Sequence, residues 1–186
     1  MRTLLTVFLI TICLNSQAQK ELNSNLSSLF GGLPIDKKIE NIIELVEKDK
    51  NYSGNSHFNL AMSYSGIIKN NSFFKFKPDT CFIEIIEDAF EVTSDSTLFG
   101  ESMIDLDVCY KATDSIEVKK EFNRIVNSLS QFFMNKNSEI RKNSELSFEF
   151  YLDKKDKTSL INMYIEKEYC YIGHNCMKIY YWKKKH

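Results

Sequence analysis

The segment from Ser115 to Met134 places Val118, Phe122, Ile125, Val126, Leu129, Phe132 and Phe133 at spacings of three and four. That period lines one side of an α-helix with apolar side chains and predicts a helix over about 115–134. Asp114 stands before it with Glu117 three residues on, the pattern of a capping box. Immediately upstream, Ile104, Leu106, Val108 and Tyr110 alternate with Asp105 and Asp107. Downstream, Leu146, Phe148, Phe150 and Leu152 alternate with Ser147, Glu149 and Tyr151. A period of two predicts strands with one apolar and one wet face. A striped helix lodged between such strands has to bury its stripe against a sheet, so the chain is constrained to layer helix on sheet.

The remaining elements follow by the same reasoning. Leu22, Leu26, Leu29 and Phe30 have helical spacing, and Gly31-Gly32 would end that helix, so 19–33 reads as a short helix or an N-terminal arm. Pro34 opens a second helix over about 34–50 with a stripe of Ile35, Ile39, Ile42, Ile43 and Val46. From about 57 to 111 extended segments are expected at Tyr64–Ile68, Phe73–Phe76, Thr80–Ile86 and Ser102–Tyr110. A strand near 160–169 and a return through 176–183 close the chain as a hairpin about Gly173.

The expected fold class is therefore α+β: two amphipathic helices packed on a mainly antiparallel β-sheet, in the order helix-strands-helix-strands. The segment 34–186 reads as one domain, with 34–111 and 112–186 as possible degenerate halves of one helix-plus-hairpins unit.

The first eighteen residues carry a different message. Arg2, an apolar run from Leu4 to Cys13 and Ser16-Gln17-Ala18 have the layout of a secretory signal peptide cleaved near Ala18. The apolar run is about half of the ~20 residues that a membrane span requires. The expected localisation is secreted or periplasmic, with no membrane span in the mature chain. Removal of Arg2 would take the formal charge from −1 to −2, which leaves no basic field to attract nucleic acid.

In an oxidising compartment the four later cysteines read as disulfides. Placing Cys170 opposite Cys176 sets Glu168 against Lys178 and Tyr164 against Trp182, both favourable cross-strand pairs. Placing Cys81 opposite Cys109 sets Phe82 against Val108 and Ile86 against Ile104. The expected bridges are Cys170–Cys176 and Cys81–Cys109. Four buried thiols, or a zinc site using Cys170, His174 and Cys176, are the alternatives.

Chemistry is sparse. Glycine-rich phosphate loops, CxxC pairs and dinucleotide fingerprints are missing from the sequence, so no cofactor is expected. Imidazole bases after the leader are His57, His174 and the terminal His186, with no Gly-x-Ser-x-Gly elbow. Asp105 and Asp107 share a strand face, which reads as a solvated surface in preference to an acid–base or calcium role. The final hairpin gathers Tyr164, Tyr169, Tyr171, Tyr180, Tyr181 and Trp182, and strand alternation sends some of these away from the core. Tyr164, Tyr180 and Trp182 are the candidate binding residues.

These features point to a small exported binding module of inhibitor, immunity or accessory type. Its sheet face and last hairpin would meet a protein or glycan partner in the envelope or medium. A small secreted hydrolase, using a loop histidine with a carboxylate, is the reading from another class. A sugar- or lipid-binding domain is a third, and it requires an aromatic-lined cleft.

Overall fold

The computed structural model describes residues 20–58, 62–92, 97–133, 138–151, 161–167 and 174–184. The leader with its cleavage point, and the turn holding Cys170 and Gly173, lie outside the described residues. Three α-helices accompany an eight-stranded antiparallel sheet, and sheet predominates. The helices are α1 (20–29), α2 (Ile39–Lys48) and α3 (Ser115–Ser130). Four strands follow α2: β1 (Tyr52–Phe58), β2 (Met62–Ile68), β3 (Thr80–Val92) and β4 (Thr97–Lys111). Four more follow α3: β5 (Glu139–Ser144), β6 (Ser147–Tyr151), β7 (Ile161–Lys167) and β8 (His174–Lys184). The spatial order is β1-β2-β3-β4-β8-β7-β6-β5, so the last strand of each meander meets the other at the centre of the sheet.

One core joins the helices to one sheet face. Leu22, Leu26, Leu29 and Phe30 of the first segment, Ile39, Ile42, Ile43 and Val46 of α2, and Val118, Phe122, Ile125 and Leu129 of α3 are all buried. They share a cluster with Tyr64, Ile83, Ile85, Ile104, Leu106, Val108, Met163, Met177 and Ile179 of the strands. The segment 20–33 is thus integral to the core rather than an arm beside it. α1 ends in a Schellman motif: Gly31 N–H donates to Ser28 O at 3.1 Å and Gly32 N–H to Ser27 O at 2.7 Å. Both glycines have positive φ, where a Cβ would be strained. The Tyr52 hydroxyl, on β1, donates to the carbonyls of Phe30 and Gly31 at 3.1 and 2.9 Å and ties this helix end to the sheet.

Several expectations need correction. α2 begins at Ile39, not Pro34, because Lys37 N–H closes a turn onto Pro34 O first. The capping box at Asp114 is not formed. Asp114 closes the 3₁₀ turn Ala112–Asp114 with φ −95° and ψ 17°, away from the extended backbone that a cap requires, and its side chain makes no cap bond. Glu117 pairs with Lys120 at 2.6 Å instead.

The segment Phe73–Phe76 is loop rather than strand. Its backbone groups are taken by α3: Lys75 N–H donates to Glu121 Oε1 at 2.8 Å, and Arg124 Nη2 donates to Phe73 O at 2.9 Å. Arg124 also pairs with buried Glu121 at 2.7 Å and lies over the Phe73 ring. Two edge strands, β1 and β5, carried too little apolar alternation to be read from sequence.

Register corrects the cysteine pairings. Across β3 and β4 the partners are Cys81↔Val108 and Ile85↔Ile104, one residue away from the expected register. A one-residue slip exchanges the faces. Cys81 therefore enters the core with a thiol that burial pushes up to about 12, whereas Cys109 points to the other face. No Cys81–Cys109 bridge forms. Cys109 is itself disulfide-bonded. Cys176 is not in a disulfide, which corrects the Cys170–Cys176 pairing. It lies opposite Cys109 on β4 and Glu166 on β7. Tyr164 accordingly faces Lys178 rather than Trp182.

Candidate functional site

The face of the sheet turned away from the helices holds the candidate site. It is built from the residues that alternate with the core set. On β3 these are Phe82 and Glu84; on β4, Met103, Asp105 and Asp107; on β8, Lys178, Tyr180 and Trp182; on β7, Asn162 and Tyr164. Direct partners across the ladders are Glu84↔Asp105, Asp105↔Tyr180, Asp107↔Lys178, Met103↔Trp182 and Tyr164↔Lys178. Partners in register share a face, so Tyr164, Tyr180 and Trp182 stand on one surface. The rings of Tyr164 and Tyr180 stack at 5.8 Å, with their hydroxyls 3.1 Å apart. All three aromatics are half-buried.

The two aspartates are not the solvated pair that the sequence suggested. Lys178 has only 4% of its side chain exposed and meets Asp107 Oδ1 at 3.2 Å. Its ammonium also lies 5.5 Å from the centre of the Tyr180 ring, a cation–π distance. Asp105 Oδ1 is buried without a hydrogen-bond partner. Desolvation, with the charges of Asp107 and Glu84 beside it, pushes the Asp105 carboxyl up to about 7, against the opposing pull of Lys178. Asp107 is raised as well by burial, while Lys178 holds it down.

A cavity of about 200 Å³ opens on this cluster, lined by Ser65, Gly66, Phe82, Ile83, Glu84, Asp105 and Asp107. Ser65 Oγ donates to Glu84 Oε1 at 3.3 Å across it. A second, more open hollow of about 620 Å³ lies at the β5–β6 turn, between Ser144, Glu145, Leu146, Ser147, Tyr164 and Ile165. Among the described residues no three His, Cys, Asp or Glu side chains are placed to hold a metal ion.

The histidines lie elsewhere. His57 is exposed on edge strand β1. His174 Nε2 is 3.5 Å from Asp79 Oδ2, with side chains 27% and 41% exposed. Neither cavity is lined by either imidazole.

The aromatic members of this site were legible from alternation. The charged centre was not, because nothing local in the sequence says that Lys178 lies against Asp107. The available signal was a lysine within the apolar run Met177–Ile179 and two aspartates interleaved with Ile, Leu and Val. Both patterns read by default as wet strand faces.

Among the described residues no helix is long and apolar enough to cross a membrane. Comparison with known proteins finds no matching family model, no matching curated protein and no matching solved structure.

Proposed function

We propose that this chain is an exported binding module whose helix-free sheet face is its recognition surface for a protein partner. The carrying observation is that Tyr164, Tyr180 and Trp182 occupy one face, half-buried, and that none of the described helices covers it. We read the layout as two helix-plus-four-strand units sharing one sheet, with the apolar stripes of the helices all drawn to the same side. Such a division leaves a broad surface free of core duty. Half-buried tyrosine and tryptophan offer large, rigid contact area at low entropic cost, and interfaces concentrate binding energy in such residues. The leader-like first eighteen residues support a location in the envelope or medium.

A sugar-binding reading draws on one observation: the hollow beside Tyr164 combines an aromatic wall with the hydroxyls of Ser144 and Ser147.

A photo-reactive phenylalanine analogue at position 180 or 182, in cells that produce the chain, tests the proposal. A shared protein adduct from both positions is expected. Position 116, on α3 and 70% exposed, should not give it. Adducts from position 116 alone, or none from 180 and 182, would overturn the reading.

A further inference from the structure

The centre of this face is wired unusually for a sheet surface. Asp105 is met from every adjoining strand. Glu84 of β3 lies directly opposite, with Ser65 of β2 bonded to it; Asp107 lies two residues along β4; Tyr180 of β8 is its direct partner on the other side; and Lys178 of β8 is one register step away. Asp105 and Asp107 therefore share a single buried ammonium, which is engaged by Asp107, while Glu84 beside them is exposed. A second ionised carboxylate in this setting has no cation of its own; Asp105 Oδ1 has no donor, and the Leu106 backbone N–H supplies the hydrogen bond that favours its charged form. Burying an unpaired charge is costly enough that such a group retains a proton instead. The 200 Å³ cavity admits water to the carboxyl, so the proton can exchange.

From this geometry we infer that Asp105 is a proton switch that sets the charge at the centre of the recognition face. The inference rests on the reading of that face as the binding surface. With the proton on, Glu84 and Asp107 stand against Lys178 and the cluster carries one net negative charge. The carboxyl then supplies an O–H donor to a neighbouring carboxylate oxygen. With the proton off, the cluster carries two net negative charges, and Asp105 and Asp107 compete for the same ammonium. The local charge doubles without any movement of the backbone. A partner that presents a cationic group to this surface is favoured by loss of the proton, and one that presents a neutral group by its retention. Burial and the neighbouring charges place the change near neutral pH. Neither imidazole belongs to this cluster: His174 is near Asp79, and His57 stands on edge strand β1.

The test uses the whole chain and the proton as its own probe. The side-chain carboxyl carbon of Asp105 is followed by NMR from pH 5 to 9, together with the fluorescence of Trp182, the single tryptophan of the chain, which sits one register step from Asp105 on the same face. A carboxyl transition with its midpoint near pH 7 is expected. It should move down in E84Q, which removes a repelling carboxylate, and up in K178M, which removes the cation. The accompanying fluorescence step should disappear in D105N and persist in H174Q. A midpoint below about pH 5, within the ordinary aspartate range, or a fluorescence step lost in H174Q but kept in D105N, would overturn the switch. The cross-link yield from position 182 at pH 6 and pH 8 separates the two ideas. A yield that changes about threefold or more in the parent chain and stays flat in D105N supports the switch. A yield that is flat in both overturns it as a regulator while leaving the recognition face standing. An Asp105 midpoint near pH 7 with no cross-link at either pH removes the recognition face alone.

Discussion

Replacing Lys178 by Met is the most informative single perturbation of this protein. The thioether keeps the length and much of the apolar volume of the lysine stem but deletes the ammonium. Lys178 is almost fully buried and lies 3.2 Å from Asp107 Oδ1. At an effective dielectric of about 20, that separation corresponds to a Coulomb attraction of about 5 kcal/mol. Removing one partner of a buried pair costs about 3–5 kcal/mol, because the other charge is left without compensation. A loss near the middle of that range is expected at pH 8, a large share of the 5–15 kcal/mol typical of a whole domain.

The sign of its pH dependence follows from the carboxylates. Asp105 and Asp107 both have folded pKa values raised above their unfolded values. Each therefore weakens the fold as pH rises from the unfolded value through the folded one, and contributes nothing below both. Without Lys178 these folded values rise further, so the penalty grows with pH and is larger at pH 8 than at pH 5, where Asp105 holds its proton. Urea unfolding followed by far-UV circular dichroism at pH 5 and pH 8 measures this directly. Equal losses at the two pH values, or a loss under about 1 kcal/mol at pH 8, would refute the picture of a buried ammonium neutralising this cluster.

Two further outcomes are expected. Phe30 is fully buried and its ring lies 6.2 Å from that of Tyr181, so F30A should cost about 3–5 kcal/mol in urea unfolding; a loss under about 1 kcal/mol would mean that the first helix is peripheral after all. Cys81 is buried in the core with its thiol pushed up to about 12, so it should resist alkylation in the native protein and react at once in denaturant. Rapid native labelling, read by mass spectrometry, would contradict its place on the helix-facing side of β3.

Much of this architecture was written locally. The stripe Val118–Phe122–Ile125–Leu129 and the alternation Ile104–Leu106–Val108 report the elements that hold them, because burial of one face imposes the period of the backbone on the residues. Gly31-Gly32 marked the end of α1 because a left-handed backbone favours glycine. Leu22, Leu26, Leu29 and Phe30 likewise announced a helix with something to bury.

Other features were decided only by the assembled fold. β1 and β5 are edge strands whose residues meet little core, so their sequences carry no clear alternation. Phe73–Phe76 has strand-like composition but gives its hydrogen bonds to Glu121 and Arg124 of a helix far along the chain. Register is a long-range quantity, and a shift of a single residue put Cys81 and Cys109 on opposite faces. The pairing of β4 with β8 brought Asp107 to Lys178 and Asp105 to Tyr180 across some seventy residues of chain. Short-range periodicity determines which residues need burial. Which charges then share that burial depends on strands that meet only after the chain has closed on itself.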